Sequence, residues 1–423
     1  MPDLLLAILG TAAVFLLGAL VAANLSTPER KLVRTPKRLY GTDAPDFRRA
    51  LGVLLGPGLT TGNRVDTLQN GDAIFPAMLE AIRGARASVT FETFIFRDEI
   101  AERFCDALAE PAGRGVRVHV LLDWVGSRDS DESAIQCLRD AGAEVHVYHP
   151  PRFKHLGRMN NRTHRKVLVV DGRVGFTGGV GVGREWEGDA QDPEHWRETH
   201  YRVEGPVVAQ MQAVFVDNWI EATGTVLHGE RYFPKLEPRG ELDAQMFASS
   251  PAGGSASLHL MVLLAITAAR RTIDIENSYF VPDSLTIEAL CDACSRGVRV
   301  RILVPNRHTD AKLGRWAAHG LYQPLLDAGA DIREYEPTMI HCKLLVVDGE
   351  WSSVGSMNFD DRSFRLNDEA NLNVFGRAFA AEQVAMMEAD LAKSKRISPR
   401  RWKRRAFTQR LYERTALLLR SQL

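Results

Sequence analysis

The sequence has no excess of charge of either sign: 53 Lys and Arg stand against 53 Asp and Glu. Without an overall field the chain is not built to bind nucleic acid across its whole surface, so any basic partner site must be local. Cysteine is scarce. Cys105, Cys137, Cys291, Cys294 and Cys342 form an odd, scattered set. That argues against a disulfide framework and fits a reducing compartment. Cys291-x-x-Cys294 has no second pair and sits in a helical apolar pattern, Leu285–Ser295, so it reads as packing. Long apolar runs are also lacking, with one exception. Leu4–Ala23 carries no charge, and at about 1.5 Å per residue it spans a bilayer core of about 30 Å. Val21-Ala22-Ala23 could serve a signal peptidase, but no Lys or Arg precedes the run. Arg30, Lys31, Arg34, Lys37 and Arg38 follow it. This favours an uncleaved anchor with the rest of the chain cytoplasmic.

What the chain does have is a repeat. HRKVLVVDG (His164–Gly172) returns as HCKLLVVDG (His341–Gly349), and each is followed by a small-residue turn, Gly178-Gly179 and Gly355-Ser356. GVRVHVLLD (Gly115–Asp123) echoes GVRVRILVP (Gly297–Pro305), and AGAEVHVYHP (Ala141–Pro150) echoes AGADIREYEP (Ala328–Pro337). Helical periods over Phe75–Gly84, Glu99–Leu108, Leu258–Ala269 and Leu285–Ser295 separate these β-rich runs. The alternation predicts a layered α/β fold made twice. The predicted division is an anchor at 1–25, a basic linker at 26–61, two similar domains at 62–240 and 241–392, and a basic C-terminal tail at 393–423.

Residues two apart on a strand point the same way. His164 and Lys166 therefore project together, as do His341 and Lys343, while Arg165 and Cys342 point away. A His can act as nucleophile or general acid, and a Lys can fix phosphate charge. Two such pairs facing each other suit phosphodiester chemistry without a metal. Asp171 and Asp348 complete each motif and belong to the candidate catalytic set, but their place at strand ends beside glycines reads as a turn role.

The doubled His-x-Lys pattern resembles the phospholipase D superfamily, and its surroundings resemble bacterial cardiolipin synthases. The similar segments are GNRVDTLQNGDAIFPAMLEAI (Gly62–Ile82), ETFIF (Glu92–Phe96), WRETH (Trp196–His200), NSYFVPD (Asn277–Asp283) and SFRLNDEANL (Ser363–Leu372). The resemblance implies two phospholipase D-type α/β/α domains about a pseudo-twofold axis. It implies a phosphatidyltransferase on the bacterial cell membrane that takes a phosphatidyl group, from phosphatidylglycerol, to an alcohol of a second phospholipid. His164 would form a phosphohistidine, His341 would serve as acid and base, and Asn358 would donate to the phosphate. Gly181 stands where the family carries a matching Asn. Lys166 and Lys343 would hold the phosphate oxygens.

A nucleophilic His needs an acceptor on its other nitrogen. Glu198 and Glu369 each follow their own half's motif, so the expectation is that Glu198 orients His164 and Glu369 orients His341. His146, His149, His155 and His200 lack ligand spacing; neither metal nor cofactor is expected. Trp186 and Trp196 read equally as a lipid-access groove or as core. The run Lys393–Arg405 holds eight basic residues and no acid, with Trp402 inside and Phe407 beyond. It reads as a patch for an anionic membrane surface, with a solvated charge run as the plain alternative and nucleic acid as a third. Hydrolysis to phosphatidic acid, a nuclease and an inactive scaffold are the rival functions.

Overall fold

The apolar runs after each His-x-Lys become strands with every residue buried, Val167–Val170 and Lys343–Val347. The structure is a computed structural model describing residues 32–150, 160–250 and 257–422, together with Gly10, Thr11, Val14, Phe15 and Gly18. The expected anchor Leu4–Ala23 lies almost wholly outside these residues, as does His155. Among the described residues no helix is long and apolar enough to cross a membrane.

After α1 (Pro45–Leu55), the first half runs β1 (Thr60–Gln69), α2 (Asn70–Arg83), β2 (Ser88–Thr93), α3 (Asp98–Gly113), β3 (Arg117–Asp123), α4 (Glu132–Asp140), β4 (Glu144–Tyr148), β5 (Val167–Val170), β6 (Val174–Gly178), β7 (Thr199–Glu204) and α5 (Val208–Thr223). The second half repeats this order. It runs β8 (Leu242–Ser249), α6 (Ser257–Ala268), β9 (Thr272–Asn277), α7 (Ser284–Ser295), β10 (Arg299–Pro305), α8 (Lys312–Ala328), β11 (Asp331–Tyr335), β12 (Lys343–Val347), β13 (Trp351–Gly355), α9 (Asp361–Arg365), β14 (Asn367–Phe375) and α10 (Arg377–Ala392). Two helices close the chain, α11 (Pro399–Lys403) and α12 (Phe407–Leu417).

All of these strands join one sheet, in the order β11-β10-β9-β12-β13-β14-β8-β1-β7-β6-β5-β2-β3-β4. Each half is the other read backwards, so a local twofold passes between the antiparallel neighbours β1 and β8. Side-chain parity sorts the faces. On β5, Leu168 and Val170 pack in a core with α2 and α3, while Val167 and Val169 face a core with α5. On β12, Leu345 and Val347 pack with α6 and α8, while Leu344 and Val346 join that same α5 core, which also holds Phe379 and Ala380 of α10. One apolar layer thus runs beneath both halves and welds them. Tyr201 donates to Gln383 at 2.8 Å, and Gln383 to Thr67 at 3.0 Å, across the same seam.

Two segments behave differently from expectation. The basic linker expected at 26–61 contains α1, which packs as part of the second half: it buries Phe47 and Leu51 completely in that core, with Phe47 edge-on to Trp351 and Phe375. The basic run Lys393–Arg405 is not a free tail. Ser394–Arg396 adds an antiparallel strand to the edge of β11. Trp402 packs against His319 and Tyr322 of α8, and α12 lies along that helix. The edge strand's hydrogen bonds and the indole contacts hold a highly charged segment in place despite its self-repulsion.

Candidate active site

His164 and His341 enter β5 and β12 from opposite halves, and backbone pairing sets what each meets. The His164 N–H donates to the carbonyl of Asp368, at 2.9 Å. The His341 N–H donates to the carbonyl of Arg197, at 2.7 Å. The next residue in each acceptor strand is a glutamate. Glu369 therefore lies against His164, with Nδ1 at 3.1 Å from both carboxylate oxygens. Glu198 lies against His341, with Nδ1 at 2.5 Å from Oε2. This reverses the expected pairing, in which Glu198 served His164 and Glu369 served His341. Each glutamate belongs to the half that does not hold its histidine, because the segment leading into each motif strand, Arg162–Thr163 or Ile340, pairs across the seam, while the motif strands themselves pair within their own halves.

The lysines follow the predicted parity. Lys166 is buried and donates to the His164 carbonyl at 2.9 Å. Lys343 donates to the His341 carbonyl and to Ser278, each at 2.6 Å. Ser278 in turn donates to Oδ1 of Asn358 at 3.2 Å, which leaves the Asn358 amide NH2 for another acceptor. Phe94 stands edge-on to His164 and Tyr279 edge-on to His341, at the ends of β2 and β9. Arg165 and Cys342 point to the opposite face. Arg165 is fully buried and bonds the Val214 carbonyl and Asp217 of α5.

Burial dominates the electrostatics. It pushes His164 down to about 4, against the pull of Glu369, and Lys166 down to about 7. His341 and Lys343 are lowered by the same cause. The two glutamates diverge. Burial raises Glu198 to about 7, only partly offset by Lys343. For Glu369 the burial effect is overcome by His164 and by hydroxyl donors from Ser356 and Ser363, so it ends below the usual range. The counterpart of Ser356 is Gly179, whose missing Cβ would meet the Glu198 carboxylate at 2.5 Å. One histidine therefore faces an ionised carboxylate, and the other faces one that titrates near neutrality.

Asp171 and Asp348 stand apart from this centre. Each lies at the far end of its motif strand, roughly 16 Å from the lysine at about 3.3 Å per residue. Each adopts a left-handed turn conformation, φ 54° and 57°. Asp171 accepts the N–H groups of Arg86, Ala87 and Ser88; Asp348 accepts those of Arg270, Arg271 and Thr272. Their place among the candidate catalytic residues is corrected accordingly: they clamp the starts of β2 and β9. Gly181 also has a packing reason. A Cβ there would meet the Trp186 ring at 2.8 Å, and Trp186 stands against both Trp196 and His341. The tryptophans thus wall His341. His149 bonds Glu221, His146 packs on Trp219, and His200 is buried beside Gly178, so these three serve different places.

The centre opens into a cleft of about 370 Å³ lined by His164, Asn358, Phe94, Tyr279, Arg162 and Arg362, among others. Sequence reasoning passed over Ser278, Ser356, Ser363, Arg162 and Arg362. Setting the two halves in register would have marked Ser356 against Gly179, and Arg162 against Met339.

Two fused halves that bring a His-x-Lys pair each to one buried centre define the phospholipase D class of phosphodiester enzymes. The profile of the family described as cardiolipin synthase, PLD-like domain, matches residues 78–219 and 262–391. Cardiolipin synthase A of Pseudomonas fluorescens is 38% identical over 361 residues, 84% of this chain and 74% of that protein. The major cardiolipin synthase of Bacillus subtilis is 34% identical over 364 residues, 85% of this chain and 75% of that protein. Among solved structures, phosphatidylserine synthase of Haemophilus influenzae overlays with a TM-score of 0.67 at 13% identity, covering 89% of this chain and all of that one. That last likeness is one of fold. The chain belongs to the phospholipase D-like cardiolipin synthase family and is an enzyme, a phosphatidyltransferase.

Proposed function

We propose that the enzyme moves a phosphatidyl group from phosphatidylglycerol to a hydroxyl of a second phospholipid through a phosphohistidine on His164. Nε2 of His164 attacks phosphorus, and the bond to the glycerol oxygen breaks. His341 gives that oxygen a proton. The acceptor hydroxyl then loses its proton to His341, attacks phosphorus, and releases His164. Lys166, Lys343 and the Asn358 amide offset charge on the nonbridging oxygens. The observation that carries this reading is the crosswise bracing of two His-x-Lys pairs at one centre. The choice of His164 as nucleophile is supported by its carboxylate. Ionised Glu369 accepts the Nδ1 proton and leaves Nε2 with its lone pair, whereas Glu198 sits at a pKa suited to a proton-shuttling partner.

The division into domains at 62–240 and 241–392, the anchor at Leu4–Ala23 and contact with an anionic membrane surface belong to the same reading. Arg400, Arg401 and Arg404 are exposed beside Phe407 and Leu411, which are 71% and 52% exposed. Apolar and cationic groups side by side suit a lipid interface. The test is incubation of detergent-solubilised enzyme with labelled phosphatidylglycerol. Cardiolipin plus free glycerol is the expected outcome. Phosphatidic acid as the product would make the enzyme a hydrolase, and no product would end the reading. With His164→Ala no label attaches to protein; label that persists in that variant and vanishes in His341→Ala reverses the two roles.

A further inference from the structure

The acceptor named above differs from water or a simple alcohol in one chemical respect. It carries its own phosphodiester, a glycerol's length from the attacking hydroxyl. The cleft has a feature that matches. Arg162 precedes His164 by two positions on an extended segment, where Arg162–Thr163 pairs in parallel with the start of β14. Residues at that spacing project to one side, about 7 Å apart. Arg162, His164 and Lys166 therefore form a single row. In the other half the matching position is Met339, which is buried and apolar, so the row is lopsided.

Arg362, on α9, reaches the same cleft. Its guanidinium donates to the side-chain and main-chain oxygens of Asn160 at 3.0 and 2.9 Å. It also reaches Asn367 and the Gln422 carbonyl at 3.4 Å. These are all neutral oxygens, and no carboxylate is bonded to it among the described residues. A partly buried guanidinium fixed by neutral acceptors keeps its positive charge and its preference for a forked oxyanion. The nearby carboxylates are committed elsewhere. Asp123 accepts backbone N–H groups of Val125, Gly126 and Thr163, and Asp360 caps α9 through Ser363. Burial pushes these acids up to about 6 and about 7, which weakens their hold on the arginines. Arg162 donates to the Asn161 carbonyl at 2.7 Å, and burial lowers the proton affinity of both guanidiniums.

We propose that Arg162 and Arg362 form a subsite for the phosphodiester of the acceptor phospholipid, one side-chain step from the phosphoryl centre at His164. The proposal rests on the transferase reading. The subsite would select an anionic lipid over water and neutral alcohols, and so decide transfer against hydrolysis by recognition.

The test reads a product ratio. Full-length enzyme in detergent micelles of labelled phosphatidylglycerol, with ethanol added, divides the phosphatidyl group between cardiolipin and phosphatidylethanol. Arg362→Gln and Arg162→Gln should each lower the cardiolipin to phosphatidylethanol ratio by about tenfold, the scale of one lost charge-assisted hydrogen bond. Arg362→Lys should lower it less. A partial loss of folded enzyme leaves the ratio unmoved. An unchanged ratio in both glutamine variants overturns the subsite. Equal loss of both products, in variants that keep the wild-type melting temperature, also overturns it by assigning the arginines to the phosphoryl centre. Wild-type enzyme that makes phosphatidic acid and no cardiolipin would instead defeat the transferase reading, before any variant is made.

Discussion

Glu198, like Lys166 and Asp360, is placed to change charge near neutrality, and it is the one of the three that bonds a catalytic histidine through its carboxylate. Its carboxyl is raised by burial to about 7, so it is protonated below that pH and ionised above it. Only the ionised form fully aligns His341 through Nδ1. Turnover should therefore fall as pH drops through about 7. Glu198→Gln should reduce kcat by about 10²-fold or more, the scale of a general acid–base contribution, and should remove that acid limb from the pH–rate profile. A profile whose limb near 7 survives the substitution would assign it to another group. Gly181 makes a second test at this scale. Restoring the family's Asn there does not restore a phosphate donor, because the Cβ would press on Trp186 and Ile95. Gly181→Asn should lower the melting temperature and the activity together, and Trp186→Ala in the same chain should recover part of the stability. Full activity in the single variant would mean that Trp186 yields freely.

Among the elements, the turn aspartates matter for stability rather than turnover. Asp348 accepts three backbone N–H groups at the start of β9 and the hydroxyl of Thr42. Asp348→Ala would leave these donors poorly met, at a cost of roughly 1–3 kcal/mol. The urea midpoint should drop accordingly while KM at 25 °C stays within twofold. A large loss of kcat in folded protein would return Asp348 to the catalytic set. The same kind of reading applies to Lys393–Arg405. As a bare sequence it is a charge run; as structure, three of its cations pair with acids of the body, Arg396 with Asp331 and Lys403 with Asp327 at the surface, and Arg405 with buried Glu413. Only the remainder can serve a membrane surface, so the electrostatic attraction of this segment is smaller than its residue count implies.

For the whole molecule, the consequence of the twofold is that neither half holds a complete site. His164 borrows Glu369, and His341 borrows Glu198. Double-mutant cycles should expose this. His164→Ala with Glu369→Gln, and His341→Ala with Glu198→Gln, should be strongly non-additive in kcat. Pairs within a half, His164 with Glu198 and His341 with Glu369, should be closer to additive. The reverse pattern would contradict the observed pairing. The fusion also rests on Arg197, which is adjacent to Glu198 in the first half and bonds buried Asp390 of α10 in the second at 3.0 Å. An ion pair of this depth is costly to break from one side, about 3–5 kcal/mol. Asp390→Ala should therefore unfold the seam and the site together.

The amino-acid sequence alone determined the duplication, the layered α/β class and the chemistry of the centre. The doubled HRKVLVVDG and HCKLLVVDG carry that information locally, since strand parity sets which side chains share a face. The helices over Asp98–Gly113 and Ser284–Ser295 were legible for the same reason. Which glutamate serves which histidine was decided only by tertiary structure. It depends on strand register across the seam, where His164 meets Asp368 and His341 meets Arg197, and no spacing within one half encodes a partner in the other. The burial of Phe47 in the far half, the ion pairs of the basic run with the body and the meeting of Arg162 and Arg362 in one cleft have the same origin. Each joins residues distant in sequence through packing, and local patterns report only what neighbours along the chain can do.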